Sequence, residues 1–202
     1  MNTPYYRLAR RAEGLLQDRW MEAILVFLVY VLLNVGINFL FDGKPFFKLC
    51  AQLSSSIIFP LGLAVVGLAL ARQQPVKVEM LFEAFKHLGR ALAAALLTFV
   101  PTLLGFLVFI IPGIIVSLGL SMTFFIMADD RSISALDAVK KSWEMMKGNK
   151  MELFRINLLC VGLSFVCILT FGVGFLFLIP YYYTLIALFY DDIKPSRLPV
   201  ES

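Results

Sequence analysis

Four stretches without a charged residue organise the chain: residues 23–41, 49–71, 91–128 and 156–190. A transmembrane helix needs roughly 20 apolar residues to cross about 30 Å of hydrocarbon. The first two stretches fit one crossing each. The other two, at 38 and 35 residues, are too long for one crossing and fit two with a tight turn between them. The pattern predicts an all-α, polytopic membrane protein with six transmembrane helices in one membrane domain spanning 1–202. The first stretch is long and closes on no small-x-small site, so it reads as a first membrane helix rather than a cleavable signal peptide.

The polar segments between the stretches have their own periodicity. Tyr5, Leu8, Ala12 and Leu15 recur at spacings of 3, 4 and 3, and so do Leu136, Val139, Trp143 and Met146. Leu81, Phe85 and Leu88 recur at 4 and 3. These spacings predict amphipathic helices before membrane helices 1, 3 and 5. Ser134 followed by Asp137 resembles a capping box that opens the third. Such helices can lie in the headgroup layer, with Trp143 as an anchor, or pack on the bundle; the pattern serves both.

Each amphipathic segment leads into an apolar pair containing a proline. GFLVFIIP at 105–112 matches GFLFLIP at 174–180, with a weaker echo in SSSIIFP at 54–60. The second helix of each pair ends at a polar cluster: Arg72-Gln73-Gln74, Asp129-Asp130 or Asp191-Asp192. The chain therefore reads as three degenerate copies of one hairpin unit, about 5–72, 78–130 and 134–192. The loop Phe41-Asp42-Gly43-Lys44-Pro45 turns the first hairpin and Phe171-Gly172-Val173-Gly174 the third. Alignment then predicts the second turn near 101–105, which makes Pro60, Pro112 and Pro180 kinks inside helices 2, 4 and 6. Each would leave a carbonyl four residues earlier without its helical partner, at Ser56, Val108 and Leu176. In a membrane such carbonyls need other partners or a wet cavity.

Charge sets the orientation. Sixteen of the 18 basic residues fall in the N-terminal segment, between helices 2 and 3, between helices 4 and 5, and after helix 6, where Lys194 and Arg197 lie. Only Lys44 and Lys48 fall on the other side. The positive-inside rule makes the basic side cytoplasmic, with both termini there. The net charge of +4 is then explained by topology and by anionic lipid heads, with Arg10, Arg11, Lys140, Lys141 and Lys147 at that interface. No basic face with interleaved aromatics points to nucleic acid. At 60% hydrophobic and 16% charged residues, the chain is far more apolar than a soluble domain.

Chemistry is sparse. The apolar stretches hold no ionisable residue that would mark an ion path. Cys50, Cys160 and Cys167 lie in or beside apolar stretches and read as small hydrophobes. The single histidine, His87, has no clustered metal-ligating partners. No nucleophile-elbow, zinc-protease or P-loop motif occurs, and the paired aspartates read as helix stops. No cofactor, metal or catalytic residue is expected, and the chain is read as a non-enzyme. Gly113, Ser117 and Ser121 recur every four residues, a ridge of small side chains that allows close helix packing; Gly67 and Ala71 form a shorter one. Asn34 and Asn38, one turn apart, could bond across helices or lie near the outer interface.

One further pattern runs through the second half: Asp129, Ala135-Leu136, Ala138, Ser142, Met146-Lys147-Gly148-Asn149, then Pro180 and Tyr190. It resembles uncharacterised bacterial six-helix inner-membrane proteins of the YciC-like family, and is similar to the membrane domain joined to some glycerophosphodiester phosphodiesterases. The resemblance implies six helices in the bacterial cytoplasmic membrane and no assigned activity. Two functions remain open. One is a non-enzymatic envelope scaffold or partner subunit, with membrane lipids and a membrane protein or a second copy as partners. The other is a transporter or lipid-binding protein with a cavity between kinked helices 2, 4 and 6.

Overall fold

The alternation of apolar and polar stretches becomes an all-helical structure. It was obtained as a computed structural model that describes residues 4–17, 19–170 and 172–194, without the side chains at 45, 50, 51, 53–58 and 84. Phe171, Arg197 and the side chains of Cys50, Ser54, Ser55 and Ser56 therefore lie outside the described residues. The helices are α1 (Tyr5–Leu16), α2 (Trp20–Leu40), α3 (Pro45–Ala71), a 3₁₀ turn (Val78–Phe82) leading into α4 (Glu83–Lys86), α5 (Leu88–Val108), α6 (Ile110–Leu120), α7 (Thr123–Asp129), α8 (Ala135–Met145), α9 (Lys150–Leu169) and α10 (Phe175–Ile193). No strand occurs among the described residues.

Five helical stretches are long and apolar enough to cross a membrane, counted among the described residues: Trp20–Leu40, Leu88–Val108, Ile110–Asp129 (α6 and α7 together), Lys150–Leu169 and Phe175–Ile193. Of the predicted second crossing, α3, the described apolar part is Phe59–Ala71. These helices fit a multi-pass membrane protein. Their outer surfaces agree: Leu107 and Leu169 are 80% exposed and Phe109 is 74% exposed. Apolar exposure on this scale is unfavourable in water but costs nothing against lipid tails.

The turn of the second hairpin differs from the expectation. Helix α5 continues through Pro101 and Gly105 to Val108. The reversal is made by one residue, Phe109, in extended conformation (φ −164°, ψ 158°). Gly105 and Gly113 make this possible: a Cβ on Gly105 would lie 3.0 Å from the Cα of Gly113, and one on Gly113 would run into the Phe106 ring. Pro112 is the third residue of α6, so it lies in a first turn, where no intrahelical partner is owed its missing N–H. It does not kink a helix. Among the described residues, Pro60, Pro101 and Pro180 are the prolines that lie beyond the first turn of a helix. The third turn, Gly172 to Gly174, lies between α9 and α10 as the sequence suggested.

Helix 4 is broken elsewhere. It stops at Leu120 and resumes at Thr123, with Ser121 and Met122 between α6 and α7. The segment before α5 also departs from prediction. It is a 3₁₀ turn and a single α-turn instead of one amphipathic helix, and Leu88 already belongs to α5. Its backbone is pressed onto α3: a Cβ at Gly62 would collide with the Leu81 carbonyl. Of the predicted stripe, Leu81 is fully buried while Phe85 and Leu88 are exposed.

The core gathers at the charged end of the bundle. One cluster joins Leu8 and Ala12 of α1 to α3, α7, α8 and the last turns of α10; the other joins Ala23, Val26 and Phe27 of α2 to α3 and Leu81. Helices α3 and α10 cross at Gly67, where a Cβ would lie 2.8 Å from the Tyr183 carbonyl oxygen. Beyond this core, the far halves of α5 and α9 are mostly exposed and that of α10 is mostly half-buried.

Candidate functional site

The polar residues at the ends of α3, α7 and α10 meet in space. Arg72, at the end of α3, donates from Nη2 to Asp191 Oδ1 at 2.6 Å and from Nε to Asp191 Oδ2 at 3.1 Å. Its Nη1 donates to Asp129 Oδ1 at 2.7 Å. The other oxygen of Asp129 accepts from the Tyr190 hydroxyl at 3.0 Å and from the Lys194 ammonium. One guanidinium thus joins the ends of α3, α7 and α10 through its planar fork, a geometry that lysine cannot reproduce. The Arg72 side chain is 31% exposed and that of Asp129 12%. Hydrogen bonding to Asp191, and then to Asp129, outweighs partial burial and holds Arg72 above its already high ordinary pKa. Next to this knot, Asp130 takes a different role. Its Oδ1 accepts from the Ser132 hydroxyl at 2.6 Å and backbone N–H at 2.9 Å, and these bonds lower its pKa.

A second feature lies deeper. Ser142 of α8 is fully buried, and its hydroxyl fits into the break of helix 4. It donates to the Gly119 carbonyl at 2.9 Å and accepts from the Met122 N–H at 3.2 Å. The break therefore leaves neither of these two backbone groups unpaired, as a buried site demands. Beside it is a cavity of about 150 Å³ lined by Pro60, Ser121, Met122, Phe125, Asn157 and Tyr182, among others. Its walls are mostly apolar, and the Tyr182 hydroxyl donates to Asn157 Oδ1 at 3.2 Å. At the charged end, a groove of about 420 Å³ runs between α1 and the knot, lined by Leu8, Arg11, Leu15, Arg72, Asp191 and Asp192 among others.

The sequence-derived residues distribute unevenly over these features. Pro60 lines the cavity, Pro180 is buried one turn below Thr184, whose hydroxyl donates to the Pro180 carbonyl at 2.8 Å, and Pro112 is remote at the hairpin tip. The predicted ridge is divided. Gly113 packs inside its own hairpin, Ser117 donates to its own helix at Ile114, and Ser121 lines the cavity. Gly67 and Ala71 are buried. Arg10, Arg11, Lys140 and Lys147 are exposed, and Lys141 is half-buried. The ring of Trp143 covers Gly119, with Lys150 Nζ 3.9 Å above it.

Helix α8 packs on the bundle, and its apolar stripe is divided: Met146 is fully buried in the core while Leu136 and Trp143 stay partly outside. Ala135, Ala138, Ser142 and Met145 face the bundle, while Leu136 is 49% and Trp143 36% exposed. Ala135, Ala138 and Ser142 let the helix approach closely, with Met145 and Met146 also buried. Ser134 caps this helix: its Oγ accepts from the Asp137 N–H at 3.1 Å and donates to Asp137 Oδ2 at 2.6 Å. Arg90 does comparable work on the preceding loop, donating to the carbonyls of Arg131 and Ile133. Gly119 and Arg90 were not singled out from the sequence, and Ser142 entered only as one position of the resemblance pattern, with no role assigned. Among the described residues, no group of three or more histidine, cysteine or acidic side chains could hold a metal ion. Cys160 and Cys167 are buried free thiols.

Residues 102–197 match the family described as "Protein of unknown function (DUF975)". No curated protein and no solved structure matches the chain. The matched segment runs from the end of α5 through α10, and so contains the helix-4 break, α8, Asp129 and Asp191. The chain is thus similar over this half to a family without an assigned activity.

Proposed function

We propose that the chain is a non-enzymatic integral protein of the bacterial cytoplasmic membrane, built of six membrane helices in three hairpins, that serves as an envelope scaffold or partner subunit. The single observation that supports it most is the Arg72 knot. A transporter of the rocking type must separate its repeats at one face and then at the other. Here one guanidinium ties all three repeats together at the basic face, where both termini lie under the positive-inside rule. Such a tie suits a body that holds its shape. Helix α8 adds an amphipathic surface to that face, with exposed Leu136 and Trp143 flanked by Lys140, Lys141 and Lys147, suited to anionic headgroups.

The cavity at Pro60, Ser121 and Tyr182 supports a second reading, an amphiphile-binding protein. Its volume of about 150 Å³ is enough for one aromatic ring or a short alkyl end, judged by dry cavities of that size that take benzene. Native mass spectrometry of the purified chain separates the two. The scaffold reading expects a fully delipidated species that keeps its fold. A stoichiometric lipid lost on Tyr182→Phe or Asn157→Leu would establish the second reading instead.

A further inference from the structure

We infer that the second and third hairpins do not emerge on the far side of the membrane: their turns end inside the apolar layer, against the acyl chains of the outer leaflet, and only the first hairpin reaches water there. The inference rests on the membrane-embedded reading above. The Arg72 knot supplies its reference, because it places the ends of α3, α7 and α10 at one level. At 1.5 Å per helical residue, the three returning helices reach different heights from that level. Pro45 stands about 40 Å above Arg72, Ile110 about 28 Å above Asp129, and Phe175 about 24 Å above Asp191. The hydrocarbon layer is about 30 Å thick, and helix tilt lowers each tip further. A knot of five polar side chains belongs in the headgroup layer. The first tip then clears the far boundary, whereas the other two stop at or short of it.

The chemistry of the tips follows their height. The first carries Asp42, Lys44 and Lys48, with an ion pair between Lys48 and Asp42 at 3.6 Å and the Asp42 side chain 81% exposed. The second carries Leu107, Val108, Phe109, Ile110 and Ile111, all 66–80% exposed and none polar. An aqueous turn of that composition would expose large apolar side chains for no gain.

The third tip solves the problem that lipid poses for any turn, namely that no water can serve its backbone. Each N–H from Gly172 to Leu178 has an acceptor within the turn and its flanking helices, beginning with Gly172 to the Cys167 carbonyl at 3.1 Å. The Gly174 N–H is taken by the Thr170 hydroxyl at 3.1 Å, and that hydroxyl also donates to the Cys167 carbonyl at 2.9 Å. Thr170 is the one polar side chain described there, and it points its hydrogen-bonding capacity inward. At the second tip, Pro112 removes one orphan donor and the Gly113 N–H bonds to the Phe109 carbonyl at 3.2 Å.

The test uses the full chain with Cys50, Cys160 and Cys167 replaced by alanine, reconstituted in phosphatidylethanolamine–phosphatidylglycerol vesicles. Single nitroxides are placed at Asp42, Phe109, Leu169 and Val173, with Leu96 of α5 as a mid-helix control. Relaxation by oxygen, which partitions into lipid, is compared with relaxation by a water-soluble nickel chelate. Oxygen should dominate at 96, 109, 169 and 173, and nickel at 42. Two sites on the third turn guard against one misfolded variant. Nickel dominance at 109 or at both 169 and 173, with oxygen dominance at 96, would overturn the inference alone. Nickel dominance at 96 as well would overturn the membrane reading beneath it.

Discussion

Substituting Ser142 by alanine removes one hydroxyl and two hydrogen bonds. The Gly119 carbonyl and the Met122 N–H then face each other across a break that no solvent reaches, since Met122 and Ser142 are fully buried. A buried polar group left unpaired costs about 1–3 kcal/mol. Two would cost about 2–6 kcal/mol, but helix 4 can regain one bond by closing its break and pairing Gly119 with Thr123, so about 2–4 kcal/mol is expected. For a chain of this size, that is a fall of roughly 5–10 °C in midpoint. The assay follows thermal unfolding in mild detergent with a thiol-reactive dye, which reports exposure of buried Cys160 and Cys167. Ser142→Thr keeps the hydroxyl but adds a methyl to a fully buried site, and should fall between the two. A midpoint for Ser142→Ala within about 1 °C of the parent would mean that the break does not depend on Ser142.

Other perturbations probe the remaining contacts. Arg72→Ala takes the fork from Asp191 and leaves Asp129 to Tyr190 and Lys194, and should cost about 1–3 kcal/mol, less than a fully buried pair because the site is partly open; Arg72→Lys should recover part of it by restoring charge without the fork. A loss equal to alanine's in the lysine variant would show that charge alone contributes nothing. Gly67→Leu forces α3 away from Tyr183 and should cost about 1–3 kcal/mol by overpacking, read as a lower detergent unfolding midpoint; an unchanged midpoint contradicts the close crossing. Gly119→Leu displaces the Trp143 ring, so in a Trp20→Phe background its emission should shift to the red. An unshifted spectrum would place that ring elsewhere.

How much of this was legible in the residues depends on the scale of each interaction. The charge-free stretches declare the helices because lipid tolerates little else. The Asp129-Asp130 and Asp191-Asp192 clusters declare helix ends. That Arg72 joins them was invisible, since the partners lie 57 and 119 positions away and local pattern carries no pairing. The misplaced second turn has a definite cause. GFLVFIIP and GFLFLIP look alike, but Pro112 precedes Asp129 by 17 positions and Pro180 precedes Asp191 by 11. Distance from the polar end, not the resemblance of the motif, decides where a proline falls in a helix. The helix-4 break carries neither glycine nor proline at Ser121-Met122, and its supporting hydroxyl comes from α8. The pattern of α8 left open whether its stripe meets lipid or bundle, because hydrophobicity alone does not tell these apart.

We propose that one guanidinium holds the ends of α3, α7 and α10 as a rigid unit. Pulsed electron–electron distance measurement between nitroxides at Gln73 and Ser132, in lipid nanodiscs, tests it most directly. One narrow distance distribution is expected, which amphiphiles leave unchanged and Arg72→Ala broadens. Two resolved distances in the parent protein, or a shift when an amphiphile is added, would contradict it.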